Sequence, residues 1–206
     1  MPPPSSGGQI ILSLLNVMEQ APLHSGWRNV DNLHLYIEAS KRVFADRALL
    51  GDPDYLSYLP GLVPHLIAKD RGPLLARTIT ERATPSLKIA PAQGSALPAD
   101  VPRRPGASHS AGTDTTHLSV IDKDGNAVAM TTTVNYSWGA CNVAKGTGII
   151  WNDEMDDFAA APGVPNVYGI VGSHANAVEP GKVPLSSMSP TFVFQNGEEL
   201  VQRVLY

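Results

Sequence analysis

Apolar residues recur at helical spacing in the first half of the chain and at alternating spacing further on. Ile10, Ile11, Leu14, Leu15 and Met18 fall on one face of a helix over about residues 8–20. Ser5 or Ser6 is placed to cap it. Two serines and two glycines at a helix start can equally hold an anion. A second helix is expected from about Asp31 to Leu50, with Asp31 as N-cap and Gly51 as terminator. Leu33, Tyr36, Ile37, Ser40, Val43, Phe44 and Ala48 form its stripe, which predicts packing against a sheet. His34, Glu38, Lys41 and Arg42 read as solvated or partly covered positions. Gly51-Asp52-Pro53-Asp54 is a turn signal, although its two carboxylates also suit a cation. Short helices follow at about 63–70 and 73–82, Pro73 suiting a first helical turn.

Periodicity then stops. Residues 83–112 carry Pro85, Pro91, Pro98, Pro102 and Pro105 and read as an extended linker. Its last part, 106–113, is small, polar and easy to cleave. Alternation resumes at Thr115 and runs to Asp122. Lys123-Asp124-Gly125-Asn126 is a tight-turn signal, and Ala127 to Val134 is the returning strand. Thr115 therefore sits at the mouth of a hairpin. A threonine hydroxyl is a weak nucleophile without an adjacent base, and the residue's own α-amine can serve once the chain is cut before it. Ordinary strand chemistry explains the same pattern.

Further on, Ile149-Ile150-Trp151 reads as a short strand. Asp153, Glu154, Asp156 and Asp157 crowd four acids into five positions. Such a cluster suits a hard cation, a solvated loop, or the ammonium of an amino-acid ligand. Residues 162–173, with Val164, Val167, Tyr168, Ile170 and Val171 as apolar teeth, read either as a lid or as a packed surface loop. Thr191 to Phe194 is a strand, Asn196-Gly197 a turn, and Glu199 to Tyr206 a partner strand or frayed end.

With 206 residues the chain can form one domain or two small ones. A formal net charge of −4 gives no electrostatic case for nucleic acid or anionic membrane. The single Cys141 excludes an internal disulfide and a cysteine-built metal site, and reads as a small buried hydrophobe. No apolar run reaches membrane-spanning length, and Met1-Pro2-Pro3-Pro4-Ser5 has neither the basic start nor the apolar middle of a signal peptide.

Several separate motifs, in order, resemble one family. Thr115-Thr116-His117-Leu118-Ser119, Thr133-Val134-Asn135, Asn152-Asp153-Glu154-Met155-Asp156-Asp157-Phe158 and Pro184-Leu185-Ser186-Ser187-Met188-Ser189-Pro190 are similar to γ-glutamyltranspeptidase, also called glutathione hydrolase. So are Pro2-Pro3-Pro4-Ser5-Ser6-Gly7-Gly8 and the run from Ala45-Asp46-Arg47 to Gly51-Asp52-Pro53-Asp54. The likeness extends to about Gly197.

The resemblance implies an α+β fold, the αββα four-layer sandwich of N-terminal-nucleophile hydrolases, incomplete in this chain. It implies a precursor that cuts itself between Asp114 and Thr115. Residues 1–114 would be the end of a large subunit and 115–206 the start of a small catalytic one, joined as a heterodimer. Thr115 would attack the γ-glutamyl amide of glutathione or a conjugate, and water, an amino acid or a dipeptide would remove the glutamyl group. Thr133 would position the nucleophile. Asn135, Glu154 and Asp157 would recognise the glutamyl amino end, Ser186 and Ser187 its α-carboxylate, and Tyr168 would belong to a lid. The family assigns His117 no base role. No cofactor or metal is implied, and the expected location is periplasmic, secreted or at the cell surface, by a leader this chain would have lost.

Two family elements are expected outside the chain: an arginine for the substrate carboxylate before Met1, and the oxyanion-hole glycines after Tyr206. Gln202 to Tyr206 departs from the small-residue turn expected there. The chain is accordingly expected to be a fragment, inactive alone and marginally stable. Two other readings stay open: a non-catalytic module that binds glutamyl compounds or assembles with a homologous chain, and a cation-binding module built on the 153–157 acids.

Overall fold

The computed structural model describes residues 1–21, 29–91, 115–166, 169–195 and 198–201. Among them are four α-helices and two antiparallel hairpins, an α+β arrangement: α1 (Gly7–Met18), α2 (Val30–Arg47), α3 (Leu59–Leu66), α4 (Arg71–Ala76), β1 (Thr115–Ile121), β2 (Ala127–Thr133), β3 (Val193–Gln195) and β4 (Glu198–Val201). β1 pairs with β2, and β3 with β4. No helix among the described residues is long and apolar enough to cross a membrane.

α1 and α2 form where periodicity places them, while α3 and α4 start and end earlier than the expected 63–70 and 73–82, and the faces that α1 and α2 bury differ from the expected ones. α1 buries Gly7, Gln9, Ser13, Asn16 and Val17, while Leu12 and Leu15 are about half exposed. Its polar residues are inside because α3 and its sequel offer carbonyls: Ser13 Oγ donates to the Leu66 carbonyl at 2.8 Å and Asn16 Nδ2 to that of Ile67 at 2.9 Å. Ser6 stands at the N-cap without a side-chain capping bond. Instead the first turn of α1 is tied to a distant strand-like segment. Ser6 N–H donates to the Ser186 carbonyl, Ser186 N–H donates to that of Pro4, and Ser5 Oγ donates to that of Met188. Gly7 is required at this crossing, since a Cβ there would lie 1.4 Å from Ser189 Oγ.

α2 is capped by Asn29, whose side chain accepts from Asp31 N–H, rather than by Asp31. Its predicted stripe is largely outside: Tyr36, Ile37 and Phe44 are exposed. Glu38 and Arg42, expected in solvent, are buried. α2 packs against α1 and α4, not against a sheet, and its inward charges are neutralised locally. Glu38 pairs with Arg42 at 2.9 Å and with Lys41. Arg42 donates to Thr78 O and Thr84 Oγ1, and the Thr84 amide donates to Glu38. Asp46 and Arg71 form a second buried pair at 2.8 Å. Burial works against ionisation of Glu38, but its hydrogen bonds from Lys41, Arg42 and the Thr84 amide hold its carboxyl down to about 2. His34 Nε2 bonds to the Thr80 carbonyl at 2.7 Å.

Two apolar clusters complete the interior. Leu49, Leu50, Leu59, Leu62, Leu66 and Leu185 form one, Val17, Ala39 and Leu75 the other. The Gly51–Asp54 segment is the turn its sequence suggests. Asp52 Oδ1 accepts from Asp54 N–H and Oδ2 from Val183 N–H, so the carboxylate closes the turn and ties it to the second half of the chain.

The hairpin is as expected except at its tip. The loop spans residues 122–126 rather than two residues, because Asp122 caps it: its carboxylate accepts from the amides of Asp124 and Asn126 and from Asn126 Nδ2. Gly125 supplies the positive φ of +83°. Ile150 makes only an isolated bridge with Val143, so Ile149–Trp151 is not a strand. Cys141 is exposed, in a loop where Asn135, Trp138 and Cys141 all take positive φ, and not the buried hydrophobe its type suggests. Most of the predicted linker, Tyr168 of the predicted lid, the Asn196-Gly197 turn and Asp114 lie outside the described residues.

Candidate active site

The register of β1 and β2 sets Thr115 opposite Thr133. Their hydroxyl oxygens are 2.9 Å apart. Thr133 Oγ1 also accepts from the Asn135 amide at 2.9 Å. With that lone pair occupied, its own proton is free to point at Thr115 Oγ1. Asn135 holds φ +72°, a left-handed conformation that asparagine tolerates better than most residues. The chain therefore turns sharply out of β2, and its amide aims back at Thr133.

This sharp exit also fixes the acidic turn. Asp153 N–H donates to the Val134 carbonyl, Asp153 Oδ1 accepts from Tyr136 N–H, and Asn135 Nδ2 donates to the Asp153 carbonyl. Residues 154–157 then form a single 3-10 turn. A cavity of about 420 Å³ opens beside it, lined by Thr131, Thr133, Asn152, Glu154, Asp157 and Ser186 with Pro2, Pro4 and Met188 among its walls. Its lining brings two acids together with the hydroxyl residues Ser5, Thr131, Thr132, Thr133 and Ser186.

Burial and the neighbouring Asp157 and Asp153 push the Glu154 carboxyl up to about 7. Burial also raises Asp157, against the opposing pull of a hydrogen bond from Glu154 and the positive charge of Arg47. The two carboxyls thus share a hydrogen bond and resist double ionisation. A cationic ligand group in the cavity would relieve that repulsion.

Thr133, Glu154, Asp157 and Ser186 meet around this cavity, and Thr115 joins them through Thr133. Asn135 is buried beneath it and reaches it through Thr133. Ser187 lies beside it, its Oγ accepting from Arg47 Nη2 at 3.0 Å. His117 is held at both ring nitrogens, by Thr131 Oγ1 at 2.7 Å and Ser119 Oγ at 2.9 Å, and turns neither to Thr115. Tyr168 and Asp114 lie outside the described residues. Among the described residues, no group of three or more His, Cys, Asp or Glu side chains is placed to hold a metal ion.

Three residues here escape sequence reasoning. Asn152 lines the cavity. Asn176 is buried and joins the acidic turn to the segment at Leu185, donating to the Asp157 carbonyl and accepting from Leu185 N–H. Arg47, at the end of α2, reaches Ser6, Leu185 and Ser187. Arg47 and Asn152 stood inside quoted motifs, the Ala45-Asp46-Arg47 run and the stretch from Asn152 to Phe158, which assign neither a role; Asn176 gave no signal.

Comparison with known proteins identifies relatives of the chain. The chain is 43% identical over 205 residues to the glutathione hydrolase proenzyme of Escherichia coli (strain K12), covering 96% of this chain and 32% of the relative. It is 40% identical over 203 residues to the glutathione hydrolase proenzyme of Pseudomonas sp. (strain A14), covering 97% and 32%. The chain thus spans about a third of the length of these curated relatives. The crystal structure of cephalosporin acylase from Bacillus halodurans matches 97% of this chain and 30% of its own, with TM-score 0.68 at 24% identity, a likeness of fold alone. The model of the gamma-glutamyltranspeptidase family matches residues 1–202, the stretch that carries the paired threonines, the acidic turn and the serine segment, and the chain belongs to that family.

Proposed function

We propose that the chain is the part of a γ-glutamyl-transferring and -hydrolysing enzyme, acting on glutathione and related γ-glutamyl compounds, that supplies the nucleophile, Thr115. The observation that carries this reading is the 2.9 Å contact between Thr115 Oγ1 and Thr133 Oγ1, with Thr133 lining a cavity that Glu154, Asp157 and Ser186 also line. The names of the relatives, glutathione hydrolase proenzymes, support it.

The first step is self-cleavage. Thr115 Oγ1 attacks the carbonyl carbon of residue 114, the C–N bond gives way to an ester, and water hydrolyses the ester. A carboxylate is left on 114 and a free α-amine on Thr115. That amine then accepts the hydroxyl proton as Oγ1 attacks the γ-carbonyl of the substrate. Thr133, donating to Thr115 Oγ1, stabilises the negative charge that builds there as the proton leaves. The amine passes the proton to the departing peptide nitrogen, leaving a glutamyl ester. Water or an acceptor amine removes the glutamyl group by the reverse sequence.

Recognition follows from charge. Glu154 and Asp157 complement the α-ammonium, with Asn135 behind them, and Ser186 and Ser187 donate to the α-carboxylate. Tyr168 belongs to a lid in this reading. The same reading carries with it the αββα sandwich, a large–small subunit heterodimer and an exported location, periplasmic or at the cell surface.

N-terminal sequencing and intact mass of the purified chain test the proposal. A new terminus at Thr115, lost in Thr115→Ala, is expected. A chain that stays whole under conditions where it is folded overturns it, and leaves a non-catalytic glutamyl-binding module in its place.

A further inference from the structure

Arg47 touches three separate parts of the molecule from one buried position, 6% exposed. Its Nε donates to Ser6 Oγ at 3.1 Å, at the N-terminal crossing. Its Nη2 donates to the Leu185 carbonyl at 3.1 Å and to Ser187 Oγ at 3.0 Å, on the serine segment. Its charge acts on Asp157 in the acidic turn. Among the described residues, the other charges acting on that carboxyl are Glu154, Asp156 and Asp153, all from its own turn.

We propose that Arg47 is a positioning residue that sets the two halves of the pocket against each other: its guanidinium fork ties Ser6 at the N-terminal crossing to the backbone and hydroxyl of residues 185–187, with its positive charge on the side of the acidic turn. The inference rests on the reading of this pocket as a glutamyl site for its ligand, but not for its geometry. A planar guanidinium is suited to this task because it donates in two directions at once while remaining charged when buried. A lysine ammonium retains the charge and loses the fork. The two functions of Arg47 are therefore separable by one substitution.

The segment it holds is otherwise tied by its own amides. Ser186 N–H donates to Pro4 O, Leu185 N–H to Asn176 Oδ1, and Met188 N–H to Ser186 Oγ. These amides report on the fork, and the Asp157 carboxyl carbon reports on the charge.

The test is nuclear magnetic resonance on the intact chain, following amide exchange at Leu185, Ser186 and Met188 and the carboxyl-carbon titration of Asp157. In Arg47→Lys, exchange at the three amides speeds up by about tenfold or more, as loss of a charged hydrogen bond implies, while the Asp157 midpoint stays where the unmutated chain has it. In Arg47→Met, exchange speeds up and the Asp157 midpoint also rises. Should Arg47→Met fail to fold, the lysine variant decides alone. Any other pattern overturns the proposal, including unchanged exchange in Arg47→Lys or an unchanged midpoint in a folded Arg47→Met. Calorimetric titration of the unmutated chain with L-glutamate is the separate arm. Absence of binding there sinks the glutamyl reading of the pocket and leaves the Arg47 arrangement to be judged on the resonance data.

Discussion

Thr115 and Thr133 face each other across the last rung of the β1–β2 ladder, hydroxyl to hydroxyl at 2.9 Å. The Asn135 amide occupies one acceptor site on Thr133, and Thr133 Oγ1 keeps a proton that can be donated to Thr115. Thr133→Val keeps the shape and removes that donor. Self-cleavage at Thr115 is expected to slow by about a hundredfold or more, the usual cost of removing one hydrogen bond to developing charge. Thr133→Ser restores most of it. A time course of band conversion on gels, with mass spectrometry of the products, measures both.

Ligand binding is expected to depend on pH through Glu154. Its carboxyl is pushed up to about 7, so below neutrality the acidic turn carries a proton that an ammonium must displace. Affinity for L-glutamate should therefore rise as pH goes from 6 to 8, where the ligand's own charges are constant. Calorimetry at several pH values checks this, and Glu154→Gln should flatten the profile while weakening binding. For stability the sign is opposite. A raised carboxyl binds its proton more tightly in the folded chain, so its contribution is lost as pH rises from the ordinary carboxylate range through about 7.

Glu38 behaves in the other direction. Its carboxyl is held down to about 2, so the stability it contributes is complete above the ordinary carboxylate range and drains away as pH falls toward 2. Glu38→Ala leaves Arg42 buried without its carboxylate, and breaking such a pair costs about 3–5 kcal/mol. Urea unfolding followed by circular dichroism should show that loss at pH 7 and a much smaller difference between variant and parent near pH 2.

The hairpin was legible in the sequence, and the faces of the helices were not. Alternation from Thr115, an Asp-Gly pair and a return of Val and Thr residues are local signals, and the strands formed where they pointed. Only the tip differed, because Asp122 closes a longer loop with its own side chain. In α2, periodicity located the helix but misjudged its inside. Glu38 and Arg42 are buried because Thr78 and Thr84, some forty residues on, bring the hydrogen bonds that make burial tolerable. Spacing within one helix carries no trace of such distant partners. The same holds at the site. Thr133, Glu154 and Ser186 stood in recognisable motifs, whereas Asn176 and Arg47 matter through what they join, and neither stands in a pattern that names its partners.

Gly7→Ala tests how tightly the N-terminal crossing is packed. The added carbon would meet Ser189 Oγ at 1.4 Å and the Ser187 carbonyl at 3.1 Å. The serine segment must move, and overpacking of this kind costs about 1–3 kcal/mol. The variant should unfold at lower urea with an unchanged slope, and its glutamate affinity should fall with it, because Ser186 and Ser187 lie on the displaced segment.

The outer face of the hairpin gives a prediction of another kind. Leu118, Val120, Val128 and Met130 are cross-strand neighbours and all exposed. A contiguous apolar strip of this sort favours association. The chain should sediment as a concentration-dependent mixture, and Val120→Lys with Val128→Glu should shift it toward the monomer without changing its circular dichroism.

The bonds between Asp153 and residues 134–136 make the exit of β2 and the acidic turn one stiff piece. In the proposed reaction the attacking oxygen of Thr115, bonded to Thr133, would stand at one end of that piece and the acids taking the amino group at the other. Their separation would then work as a fixed gauge, against which a substrate is measured by the number of carbons between its amino group and the bond to be broken.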